Sequence, residues 1–208
     1  MKRIVMKLIL SFILLLTFTA GELFSQDTEM AGLDISNASS IEIDGTSTLH
    51  DWTVIAEEFT VDFKVPQNWV KGLDFWNPED VEELTVSVPV EFLVSGKGGM
   101  DKRMYKALES EDHPQIVFEH TGMEIMDAET EQVTGAKMLK IDGNMTIAGE
   151  TRPVTLNVLG EILETNALKF SGQHTVNMTN FDVDPPSAML GTIKSGEEVT
   201  IRFDIIFQ

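Results

Sequence analysis

Apolar and polar residues alternate with period two in about eight segments of this chain, and no other feature limits its fold as much. The longest run is Leu84, Val86, Val88, Val90, Phe92 and Val94. Phe59, Val61, Phe63 and Val65 alternate with Thr60, Asp62 and Lys64. Leu139, Ile141, Gly143, Met145 and Ile147 share one register, as do Val154, Leu156, Val158, Gly160 and Ile162. Leu168, Phe170, Gly172, His174, Val176 and Met178 follow, and Val199, Ile201, Phe203, Ile205 and Phe207 come last. Ile41 with Ile43, and Ile116 with Phe118, mark two shorter segments. Side chains of a strand point alternately to opposite faces, so each segment reads as a strand with one apolar and one polar face.

Antiparallel strands of this kind bury their apolar faces in a sandwich or in a closed barrel. Gly143, Gly160 and Gly172 fall on the apolar registers. A missing side chain there relieves crowding and permits the bending that closure requires. The expected fold is therefore all-β, an eight-stranded antiparallel barrel, with the sandwich as the alternative. One segment keeps helical spacing: Met100, Met104, Ala107 and Leu108, between Gly98-Gly99 and Pro114. It predicts one principal α-helix near 100–110. Ala148-Gly149-Glu150-Thr151 predicts a type II′ hairpin turn led by Gly149. Residues 66–83, with Trp69, Phe75 and Trp76 among acids, and residues 181–196, with Pro185-Pro186, read as insertions.

Lys2, Arg3 and Lys7 precede an apolar run from Leu8 to Ala20, and Ser25 is the expected cleavage point. Residues 1–25 thus read as a secretory signal peptide, residues 26–39 as a loose N-terminal arm and residues 40–208 as the barrel domain. The apolar run is short for a membrane span, so a periplasmic or secreted protein with no integral span is expected. Cysteine is absent from the 208 residues, which excludes disulfides, thiolate metal sites and cysteine nucleophiles. Lys and Arg number 15 against 34 Asp and Glu, a formal net charge of -19. A field of that sign repels phosphate backbones and anionic lipid surfaces, so nucleic acid is not an expected partner.

His50-Asp51 is the most tempting chemical pair, an imidazole beside a carboxylate. The competing reading is a turn at the start of the barrel with Trp52 plugging one end. No Gly-x-Ser-x-Gly elbow supplies a nucleophile. His50, His113, His120 and His174 lack the close spacing of a zinc site. No catalytic residue, metal or cofactor is expected. Arg103, Arg152 and Arg202 carry forked donors suited to a phosphate or carboxylate, and equally to surface ion pairs.

Three stretches then resemble one family in its own order. Gly45-Thr46-Ser47-Thr48-Leu49-His50-Asp51-Trp52 resembles the opening motif of the YceI-like family. Met100 to Leu108 with His113-Pro114-Gln115-Ile116-Val117-Phe118 resembles its helix and following strand. Gly143 to Val154 resembles its central hairpin. The resemblance implies a lipocalin-like barrel, exported to the periplasm. It also implies a polyisoprenoid or other long-chain lipid held in the interior, for transport or storage. The residues 69–83 insertion is longer and more acidic than the family pattern.

Parity makes Phe59, Val61, Phe63, Val86, Val88, Phe92, Phe118, Ile141, Met145, Phe170 and Phe203 the expected apolar lining. His174 and Arg152 are candidate head-group contacts. The helix and the 66–83 insertion belong to no ladder and are expected to cover a mouth. The alternative function is an exported interaction module with a filled core, acting through the Trp-bearing 66–83 insertion. Monomer and homodimer both stay open.

Overall fold

A computed structural model of the chain describes residues 30–126, 135–189 and 191–208. The signal peptide read at 1–25 lies outside the described residues. The strands are β1 (Met30–Gly32), β2 (Ser40–Ser47), β3 (Trp52–Ala56), β4 (Thr60–Pro66), β5 (Glu83–Pro89), β6 (Leu93–Val94), β7 (Gln115–Met126), β8 (Ala136–Ile147), β9 (Glu150–Ile162), β10 (Leu168–Asn177), β11 (Ser187–Ala188) and β12 (Ile193–Phe207). The α-helix among the described residues, α1, is Gly98–Ala107.

The ladder order is β1-β4-β5-β7-β8-β9-β10-β12-β2-β3-β6, all antiparallel, with β11 against β12. The expected eight runs are present, two of them in pieces. β3 and β4 are one run broken at residues 57–59, and β5 and β6 are its partner run broken at Val90–Phe92. Joined this way, the eight runs return to their start: β12 pairs with β2 through Phe203↔Ile41 and Ile201↔Ile43. The result is a closed lipocalin-like antiparallel barrel, which has no free edge on its wall. β1 extends the sheet past β4.

The break in β5–β6 corrects the reading of Leu84 to Val94 as one unbroken alternation. Pro89 has no N–H to continue the ladder. The chain makes a 3₁₀ turn over Val90–Phe92 instead. Glu57 N–H donates to Phe92 O at 2.9 Å across the gap. Ile55 pairs with Val94, which would carry Thr60 to Pro89, yet Thr60 pairs with Ser87. The register therefore moves by two residues, and the buried face changes parity across the break in both runs: Val54 and Ala56 give way to Phe63 and Val65, and Val88 to Leu93.

The glycines on the apolar registers sit under aromatic rings. A Cβ on Gly143 would come within 2.5 Å of the Phe118 ring, and one on Gly160 within 2.5 Å of Trp76. These contacts let large rings lie flat against the wall of a narrow barrel. At the β8–β9 turn both Ala148 (φ 49) and Gly149 (φ 81) are left-handed, and Ile147 pairs with Glu150. The turn is therefore type I′ over Ala148-Gly149, not type II′ led by Gly149.

Residues 26–39 are not loose from Met30 onward. β1 pairs with β4, Ile35 bridges to Phe207, and Ser36 N–H donates to Ile206 O at 2.8 Å. The 66–83 insertion forms short 3₁₀ turns against the end of the barrel. Trp69 is 0% exposed and Trp76 4%. Their rings stack at 5.2 Å, and Trp76 stacks on Phe170 at 5.5 Å. Trp76 Nε1 donates to Trp69 O at 2.9 Å. The insertion thus closes one end with both tryptophans turned inward, while Phe75 stays exposed.

Candidate functional site

The inward faces of the strands enclose a cavity of about 390 Å³. That lies within the range of about 300–1,000 Å³ usual for small-molecule sites. Its floor is aromatic. Phe63 and Phe170 meet edge to face at 5.4 Å, Phe63 and Phe207 lie 5.2 Å apart, and Trp76 and Trp69 back them. Its walls are aliphatic, with Val86, Val88, Ile141, Leu156, Val158 and Ile201 among them. Its mouth lies at the other end, between the 47–52 turn, α1, and residues 178–187 and 193–195.

Val61, Phe63, Val86, Val88, Phe118, Ile141, Met145, Phe170 and Phe203 all line this cavity. Phe59 and Phe92 do not: both lie at the broken ladder, where parity fails. Leu93, on the outward register of the sequence reading, is 0% exposed and lines the cavity instead. Ile41, Ile43, Trp52, Ile147, Val176 and Ile205 also line it. The alternation of the five aliphatic ones is visible in the sequence, but nothing in it ranks them above their neighbours; Trp52 lies outside those runs.

His174 lines the wall, half-buried. Burial alone pushes its imidazole below the ordinary value, because the apolar wall solvates the charged form poorly. Arg152 is elsewhere. It lies at the start of β9 beside Glu150, Nη1 to Oε2 at 2.8 Å, and donates to Thr151 O. Parity does not account for this, since Arg152 stands directly opposite Met145 and shares its inward register. It is the place of Arg152 at the strand end, two residues from Glu150, that lets its guanidinium turn to that carboxylate instead of lining the cavity.

His50 Nδ1 faces the backbone oxygen of Asp51 at 2.8 Å, and both side chains are exposed. Ser47 Oγ donates to His50 O and accepts from the amides of Leu49 and His50, which ties the turn. Trp52 lies over Gly45, with Nε1 donating to Thr46 O at 2.9 Å. Among the described residues no group of three His, Cys, Asp or Glu side chains is placed to hold a metal.

α1 is strapped over the mouth. Asp101, 9% exposed, accepts from Ser95 N–H at 3.0 Å and from Ser95 Oγ at 2.5 Å. The Tyr105 hydroxyl reaches Glu91 O and Leu93 O, each at 2.9 Å. Met100, Arg103 and Met104 are thereby set on the cavity rim. The 66–83 insertion, expected to share that task, sits at the floor end instead. Its position depends on Trp69 and Trp76 packing onto Phe63 and Phe170, which no local pattern encodes.

A closed antiparallel barrel with an apolar interior and one open end defines a lipocalin-like fold with a binding cavity. The chain belongs to the YceI-like family, whose YceI-like domain matches residues 36–207. BcnA of Burkholderia cenocepacia is similar at 15% identity and a TM-score of 0.63, over 83% of this chain and 99% of that one. A polyisoprenoid binding domain from Saccharophagus degradans, implicated in plant cell wall breakdown, is similar at 11% identity and a TM-score of 0.59. It covers 85% of this chain and 97% of its own. The YceI protein of Campylobacter jejuni gives 11% identity and a TM-score of 0.53, over 73% and 82%. No curated protein matches the chain. Among the described residues no helix is long and apolar enough to cross a membrane.

Proposed function

We propose that this chain is an exported, non-catalytic binding protein that holds one long apolar ligand, a polyisoprenoid or related amphiphile, inside its barrel. The observation that carries the reading is the apolar cavity of about 390 Å³, closed by aromatics at one end and open at the other. The Saccharophagus degradans domain, named for polyisoprenoid binding, supports the ligand class by its likeness of fold. Residues 1–25 are proposed as the leader, and the exported barrel acts in the periplasm or outside the cell. A chain threaded from the mouth gains about 0.8 kcal/mol for each buried methylene. Ordering the chain offsets part of that gain. His174 is the polar contact that a ligand meets along the wall. The interaction-module reading loses its motif, because Trp69 and Trp76 are buried.

The experiment is organic extraction of purified protein followed by mass spectrometry, beside the Val88→Trp variant. Val88 is 8% exposed and lines the cavity. An indole there fills the lumen, so the variant should fold and lose the extracted lipid. A filled core would instead lose about 1–3 kcal/mol of stability through overpacking. Protein that extracts empty and takes up no prenyl or acyl chain would refute the binding reading.

A further inference from the structure

Against the net charge of -19 one helix is basic, with Glu57 and Glu91 near its Tyr105 and Glu109, Glu111 and Asp112 in the turn that follows it. Lys97, Lys102, Arg103 and Lys106 stand on or beside α1 at the cavity mouth, and the one acid in that stretch, Asp101, is buried against Ser95. All four cations are exposed, and none has a carboxylate partner among the described residues. Arg152 and Arg202, by contrast, are paired with Glu150 and Glu42. The two most exposed large apolar side chains among the described residues are Met189, 73%, and Leu49, 66%. They belong to the same rim. Thr48 N–H donates to Lys194 O at 3.0 Å, and Thr192 N–H to Met189 O at 3.2 Å, which ties the turn of Leu49 to the hairpin of Met189. Lys194, also exposed, adds a cation between them. Asp51, Glu197 and Glu198 line a separate cleft beside Trp52.

We propose that this mouth docks on an anionic lipid surface, with the basic helix against the head groups and the Leu49 and Met189 tips in the interface. Charges farther away than about 8 Å are screened at physiological salt, so at contact the local patch and not the net charge decides. Basic side chains beside exposed apolar tips match a bilayer interface in both chemistries. The inference rests on the proposed lipid-binding function for its purpose: the cavity then opens onto the bilayer with which it exchanges ligand.

The test is sedimentation with vesicles of phosphatidylcholine alone and of phosphatidylcholine mixed with phosphatidylglycerol, at low and high salt. Uptake of a pyrene-labelled fatty acid from solution is measured in parallel. The wild type should bind mixed vesicles only, and less at high salt. Lys102→Ala with Lys106→Ala should weaken binding about 25-fold, about five-fold for each cation removed. Leu49→Ser with Met189→Ser should abolish what survives high salt. Lys64→Ala with Lys71→Ala, away from the mouth, should change nothing. Equal binding to both vesicle types, or equal loss from the two lysine pairs, overturns the docking and leaves an acidic protein as the partner of the patch. Docking that persists in protein unable to take up the fatty acid upholds this inference and sinks the proposed cavity function instead.

Discussion

At the scale of single residues, His174 is the titratable group that the cavity bears on most directly. Its folded-state value lies below its unfolded one, because of burial. The unfolded chain therefore takes up the proton first. This contribution to stability is fully present above the ordinary imidazole value of about 6.5 and is lost as pH falls through it toward the folded value. Urea midpoints should thus fall more steeply with acid in the wild type than in His174→Gln. Parallel profiles would mean that the imidazole is solvated in the folded state. The two plug tryptophans make a second comparison. Trp76 Nε1 has an acceptor in Trp69 O, whereas buried Trp69 Nε1 has none among the described residues. Trp76→Phe leaves a buried carbonyl without its donor, a loss of about 1–3 kcal/mol. Trp69→Phe forfeits no hydrogen bond. Denaturation midpoints should rank Trp76→Phe as the more damaging, and the reverse order would place an unseen partner on Trp69.

At the scale of elements, α1 owes its place to few bonds. Tyr105→Phe removes its hydroxyl contacts to Glu91 O and Leu93 O and should cost about 1 kcal/mol. Amides of 98–107 should then exchange faster, and bound lipid should leave sooner. Unchanged exchange would show that the Asp101–Ser95 bonds alone hold the helix. The sequence made this element legible through its spacing, and it made most strands legible through theirs. It failed where a local pattern had two meanings. Val90 and Phe92 continue the apolar alternation of β5 by residue type, while Pro89 ends the ladder by chemistry. Phe92 was consequently read as lining and Leu93 as outward. Arg152 shares the inward register of Met145, so residue type and parity both point it at the cavity, and only its place at the strand end beside Glu150 keeps it out. The 66–83 insertion was recognisable as foreign to the strand pattern, but the end it covers follows from contacts with residues far along the chain.

At the scale of the molecule, closure joins the two ends of the domain. β12 pairs with β10 on one side and β2 on the other. No earlier strand can complete the wall, so a chain ending at Thr192 keeps two open edges and a divided core. Its thermal transition by circular dichroism should lose cooperativity. A sharp transition would show that the other strands form a stable sheet without closure. Folding should also be slow for the size, because β2 waits for a partner synthesised last. Average charge was the poorest guide at this scale, since it concealed cations gathered at one pole.

The aromatic floor has a kinetic meaning. A barrel open at both ends could be refilled from behind, each newcomer driving out the occupant. This one is a scabbard: what enters last must leave first, through the same opening. An incoming chain cannot push, so departure should follow a first-order clock that is indifferent to how much competitor waits outside. For a ligand held as proposed, whichever end enters first would stay deepest, leaving the other end at the rim beside α1 and the Leu49 turn.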